Sequence, residues 1–128
     1  MKKREANFGK RFRAWVKAQT DLPSSAFELK QTTKNYISFS ALQEHQEYAL
    51  LAACGPGLLY KAPDDSCGVK PFDFFYIKRA SAFVVIKYPK GFEVIEIQNF
   101  ITERERSGKR KSLTYERAQA ISTYSISR

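Results

Sequence analysis

Three short runs between Phe72 and Ile97 constrain the fold of this chain more than any other feature. Residues 72–77, 82–88 and 92–97 are dominated by aromatic and β-branched side chains, which suit a pleated, half-buried surface. The connections Lys78-Arg79-Ala80-Ser81 and Pro89-Lys90-Gly91 are tight, so an antiparallel meander is predicted, with its aromatic rings in the core. Helical patterns surround it. Phe8, Phe12, Trp15 and Val16 fall at helical spacing within residues 3–19, and Leu22-Pro23-Ser24 ends that amphipathic helix. Residues 26–31 read as a strand and 36–39 as a short extended piece. Ser40 with Gln43 reads as a capping box opening a second helix. Leu42, Gln46, Ala49, Leu50 and Ala53 share one face of that helix, and Gly55-Pro56 stops it. Residues 58–61 form a further strand candidate, followed by a polar loop over 63–68. Asn99 is placed to cap a short helix through about Arg106, and a basic loop at 107–111 leads to a last helix starting near Ser112. The expectation is one α/β domain over residues 1–128, with a central mixed sheet flanked by helices.

The chain has 128 residues, 43% hydrophobic and 14% aromatic, enough to bury a core and to exclude wholesale disorder. It contains no apolar run long enough to span a bilayer, so no membrane partner is expected. Two cysteines, Cys54 and Cys67, and one histidine, His45, are too few for a zinc cluster; a reduced, cytoplasmic setting is expected. Twenty-two Lys and Arg oppose thirteen Asp and Glu, a formal net charge of +9. Such a surplus favours a polyanion, because each phosphate contact releases counterions, although solubility alone is the simpler explanation. Clustering favours the polyanion. Lys2, Lys3, Arg4, Lys10, Arg11, Arg13 and Lys17 crowd the first helix, and Arg104, Arg106, Lys109, Arg110 and Lys111 form a second group.

The chemistry concentrates in Phe27-Glu28-Leu29-Lys30-Gln31. On a strand, Glu28 and Lys30 share one side while Phe27 and Leu29 take the other. A carboxylate can hold a divalent cation that acidifies a bound water, and a neighbouring ammonium can neutralise charge developing on a phosphate. Charges also alternate on ordinary exposed strands, so the pattern needs company. Gln46 sits where a surface helix normally places an apolar residue; it reads as a phosphate-contacting group near Glu28 or as an internally satisfied amide. His45 beside it suits a structural or DNA-backbone role. Asp73, in Lys70-Pro71-Phe72-Asp73-Phe74-Phe75, opens an otherwise aromatic strand and reads as a metal ligand or a turn cap. Glu5 shares the stripe of Phe8 and Phe12 and is a further metal-ligand candidate, with stabilisation of the helix N-terminus as the alternative.

Phe27-Glu28-Leu29-Lys30-Gln31-Thr32, then Ser38-Phe39, then His45-Gln46 with Leu50, resembles the RecU-like Holliday junction resolvases. Residues 82–88 with 92–97 resemble their next hairpin, and Lys111-Ser112-Leu113 resembles their terminal Lys-Ser pair. The Lys70 to Asp73 element is similar to one in compact phage-borne relatives. The resemblance covers most of residues 26–115. It implies a restriction-endonuclease-like core of the PD-(D/E)xK superfamily, a homodimer, Mg²⁺ (or Mn²⁺) dependence and cleavage of four-way or related branched DNA. Glu28, Asp73 and Glu5 would then serve the metal, and Lys30 and Gln46 the reaction. Lys3, Arg4, Lys10, Arg11, Arg104, Lys109, Arg110 and Lys111 would hold DNA phosphates. The family carries an Asp about a dozen residues before its E-x-K, and that stretch is missing here. Asp73 is expected to replace it from another strand of the same sheet, with Asp21 as the alternative. Two rivals remain: a non-catalytic DNA-binding protein on the same scaffold, and an RNA- or protein-binding module that would expose the aromatic rings of residues 72–97.

Overall fold

A computed structural model describes residues 2–62 and 71–127, with side chains from Asn7 onward. The order is α1 (Lys2–Ala18), β1 (Ser25–Gln31), β2 (Tyr36–Ser38), a 3₁₀ turn (Phe39–Ala41), α2 (Glu44–Cys54), β3 (Leu58–Lys61), β4 (Phe74–Ile77), β5 (Ser81–Tyr88), β6 (Gly91–Glu96), α3 (Ile97–Arg106), β7 (Ser112–Thr114), α4 (Tyr115–Ile121) and β8 (Tyr124–Ser127). The polar loop read over 63–68, with Cys67 and Lys70, lies outside the described residues.

The central sheet is mixed, in the order β1-β5-β6-β8. β1 runs parallel to β5, with Glu28 opposite Val84 and Lys30 opposite Ile86. β5–β6 and β6–β8 are antiparallel. Alternation along these strands sends apolar residues to both faces, and each face has its own core. On one, Phe8 and Phe12 of α1 pack with Phe83, Val85, Phe92 and Val94, and half-buried Trp15, Phe27 and Leu29 complete the layer. On the other, Val84, Ile86, Tyr88 and Ile95 meet Leu50 of α2, Phe100 of α3 and Ala118 of α4. A Cβ on Gly91 would stand 2.4 Å from the carbonyl oxygen of Ile126, so a glycine is needed where β6 meets β8.

Five details differ from the sequence reading. The meander is broken: β4 pairs with β3, not β5, in a separate two-stranded ribbon. α2 begins three residues later than expected, because Gln43 is its N-cap and Gln46 its capping-box partner, while Ser38 caps the 3₁₀ turn through Ser40. Asn99 lies inside the first turn of α3, whose N-cap is Glu96. Ser112 opens not a helix but β7, paired antiparallel with β2 so that Ser38 faces Ser112; α4 follows, capped by the Thr114 side chain on the Arg117 amide. β8 is an element the sequence reading does not contain.

Candidate active site

β1 positions Glu28 and Lys30. Phe27 and Leu29 join the α1 layer and Ala26 packs against the opposite core, so alternation turns Glu28 and Lys30 toward the side covered by α2. Lys30 Nζ lies 3.4 Å from Glu28 Oε2, with the lysine side chain 18% and the glutamate 30% exposed. This is the shared face expected from the sequence. β1 ends the strand order of its sheet among the described residues, so the pair stands on an edge strand, partly exposed.

Three clefts are of interest, one of them lined by Lys30 itself. That one, lined also by Phe8, Leu29, Gln31 and Ala41, lies along the end of β1. A second shares Phe8 and Gln31 with it and extends past Arg11, Thr32 and Lys87. Ala41 adjoins a third cleft of about 610 Å³, where Ser38, Ser40, Arg104, Arg110 and Lys111 meet the start of α2. The third cleft exists because the Phe39 amide donates to the Lys111 carbonyl at 2.9 Å, continuing the β2–β7 pairing. Ser38-Phe39 and Lys111-Ser112, far apart in sequence, are therefore neighbours. Each basic cluster contributes to one side: Arg11 from α1, Arg110 and Lys111 from the loop after α3.

The other candidates divide. Gln46 is half-buried and its Oε1 accepts from the Gln43 amide at 3.0 Å, so it holds the start of α2. His45 is exposed. Asp73 is exposed and precedes β4, its carbonyl accepting from the Ala62 amide at 2.8 Å; the expectation that it shares the sheet of Glu28 is corrected, because it belongs to the β3–β4 ribbon. Asp21 is exposed in the loop before β1. The backbone of Lys3, Arg4 and Glu5 lies in α1, and their side chains are outside the described set. Among the described residues, no group of three or more His, Cys, Asp or Glu is gathered as a metal cage. Lys10, Arg11, Lys109, Arg110 and Lys111 are exposed. Arg104 instead grips Glu47 of α2 with both terminal nitrogens, at 2.5 and 3.3 Å, and those bonds raise its pKa further.

Two acids escape the sequence reading. Glu93 is fully buried on β6, where Ser122 and Ser125 donate to it at 3.0 and 2.8 Å. Burial raises its pKa, against the lowering effect of the serine bonds. Its alternation with Phe92 and Val94 is the signal that would have found it. Glu103 is buried on α3 and accepts two 2.8 Å bonds from Arg117, which hold its carboxyl below the ordinary range. Both acids have their oxygens occupied by fold-building donors. No helix among the described residues is long and apolar enough to cross a membrane.

Searches for related family models, curated proteins and solved structures give no match for this chain.

Proposed function

We propose that this protein is a Mg²⁺- or Mn²⁺-dependent endonuclease of the PD-(D/E)xK type that acts on branched DNA, four-way junctions above all. The observation that carries the reading is the Glu28–Lys30 pair on an edge strand, with Lys30 lining a cleft that shares Phe8 and Gln31 with the cleft lined by Arg11. A phosphodiester lying in these two clefts would meet the Lys30 ammonium and the Arg11 guanidinium. The junction of Ser38-Phe39 with Lys111-Ser112 supports the RecU-like resemblance, since it makes one place of motifs separated in sequence.

Mg²⁺ usually takes one or two carboxylates and completes its shell with phosphate oxygens and water. Glu28 fits as the protein ligand. When bound, the ion supplies polarisation of the phosphate and acidification of a water. The chain's own part is positional: Glu28 holds charge at the edge, Lys30 presents an ammonium to the phosphate oxygens as their charge rises, and the basic flanks fix the backbone without reading bases. A symmetric homodimer would offer two such pairs to opposed strands of a junction.

One observation favours a second reading, a non-catalytic DNA-binding protein on the same scaffold. Asp73, the expected second carboxylate, lies on the separate ribbon. The deciding experiment measures nicking of a branched substrate in Mg²⁺ by wild type and by Glu28→Gln. Nicking that disappears in the variant supports the nuclease; DNA binding without nicking in either protein supports the second reading.

A further inference from the structure

The β3–β4 ribbon wears its aromatic residues outward. In its register Leu59 pairs with Tyr76 and Lys61 with Phe74, so alternation puts these four on one side. Leu59 is 67% exposed, Phe74 58% and Tyr76 59%, and Lys61 is exposed beside them. On the other side Phe75 is half-buried and contacts Tyr60 and Phe72, both exposed, with ring centroids 5.3 and 5.9 Å apart. Isolated exposed apolar residues need no explanation, but a contiguous aromatic face marks an interaction surface.

The Tyr76 ring is held in place despite its exposure. Its hydroxyl donates to the Pro56 carbonyl at 2.9 Å. Gly57, with φ of +123°, lies so close beneath the ring that a Cβ there would stand 2.0 Å from the hydroxyl oxygen. A glycine is thus required both for the backbone and for the ring. A ring fixed before binding loses little entropy when something stacks on it.

We infer that this face binds the unpaired bases of single-stranded DNA, and the inference rests on the DNA-binding reading above. Three observations select that occupant over an apolar protein surface. A lysine interleaves with the rings, Lys78 and Arg79 follow β4, and β3 and β4 themselves contain no acid, the nearest being Asp73 at the start of the ribbon. The pattern of π-faces beside cations is that of a sequence-tolerant single-strand platform. Phe74 and Tyr76, two residues apart on a strand, are separated by about 6.8 Å along it. That is about twice the 3.4 Å step of a duplex strand, so neighbouring bases stack on both rings only when splayed apart, as a duplex forbids. Branched DNA with unpaired nucleotides at its crossover supplies such bases.

The test compares binding of labelled oligo(dT) and of a linear duplex by fluorescence anisotropy, for wild type, Phe74→Ala, Tyr76→Ala and Tyr76→Phe, each checked for folding by circular dichroism. Each alanine variant should bind oligo(dT) at least about fivefold more weakly while duplex affinity stays unchanged, and Tyr76→Phe, which keeps the ring, should lie nearer wild type. Because loss of the Tyr76 anchor can disturb the ribbon, Phe74→Ala is the decisive variant. Wild type that binds duplex but not oligo(dT), or Phe74→Ala that binds oligo(dT) as well as wild type, overturns the inference and leaves the DNA-binding reading intact. Failure to bind either nucleic acid overturns both. Concentration-dependent self-association abolished by Phe74→Ala, without oligo(dT) binding, assigns the face to a second copy of the chain and also overturns the inference.

Discussion

Arg104 and Glu47 join α3 to α2 through two guanidinium–carboxylate bonds, which separates Arg104 from the basic residues around it. Lys109, Arg110 and Lys111 project from the loop after α3 and are exposed. Replacing these three with Ala should weaken binding to every DNA sequence and reduce the salt slope of log K by roughly 2–3, about 0.9 for each phosphate that is no longer neutralised. Arg104→Ala should instead lower the unfolding midpoint, with a salt slope changed by no more than the equivalent of about one phosphate. Salt titrations of duplex binding beside urea unfolding distinguish the two; an unchanged slope in the triple variant would make the loop a merely solvated surface.

α1 should prove part of the core as well as a basic surface. Phe12 is buried and contacts Trp15, Phe27 and Phe92, with centroids 5.6, 4.9 and 6.0 Å away. Phe12→Ala should cost about 3–5 kcal/mol of stability. The single tryptophan, stacked on Phe12, reports the transition by its fluorescence. A loss below about 1 kcal/mol would mean that α1 is not docked as described.

Glu93 and Glu103 should pull the pH dependence of stability in opposite directions. Burial raises the folded pKa of Glu93, so its contribution is fully present below the unfolded value, about 4.3, and is lost as pH rises through the folded pKa. Arg117 lowers the folded pKa of Glu103, so its contribution is present above the unfolded value and is lost as pH falls through the depressed one. Glu93→Gln removes the first effect alone. The variant should equal or exceed wild type in melting temperature at neutral pH, and the decline of wild type from about pH 4.3 upward should flatten. Superimposable pH profiles would refute the assigned role of Glu93.

Local pattern carried much of this arrangement, and non-local pairing carried the rest. The stripe of Phe8, Phe12, Trp15 and Val16 specifies α1, and alternation alone puts Glu28 and Lys30 on one face. The start of α2 is ambiguous in sequence because Ser40–Gln43 and Gln43–Gln46 have the same spacing; the 3₁₀ turn at Phe39 resolves it. β7 is three residues long and exists through its remote partner, Tyr36–Ser38, so no local signal separates it from the helix that follows. Phe72–Ile77 reads like core because its composition matches β5 and β6. Pairing with β3 rather than β5 removes it from the sheet, exposes Phe74 and Tyr76, and takes Asp73 away from the strand order that contains Glu28.

The Glu28–Lys30 pair is tested most directly by a labelled four-way junction and a matching linear duplex, incubated with wild type and Lys30→Ala, with and without Mg²⁺. A nuclease centred on this pair cuts the junction only in Mg²⁺ and in preference to the duplex. Lys30→Ala should bind the junction almost as tightly, since one positive charge of many is removed, yet cut it at least about 10²-fold more slowly. Wild type that binds the junction and leaves it intact in Mg²⁺, or Lys30→Ala that cuts at the wild-type rate, would contradict the assignment.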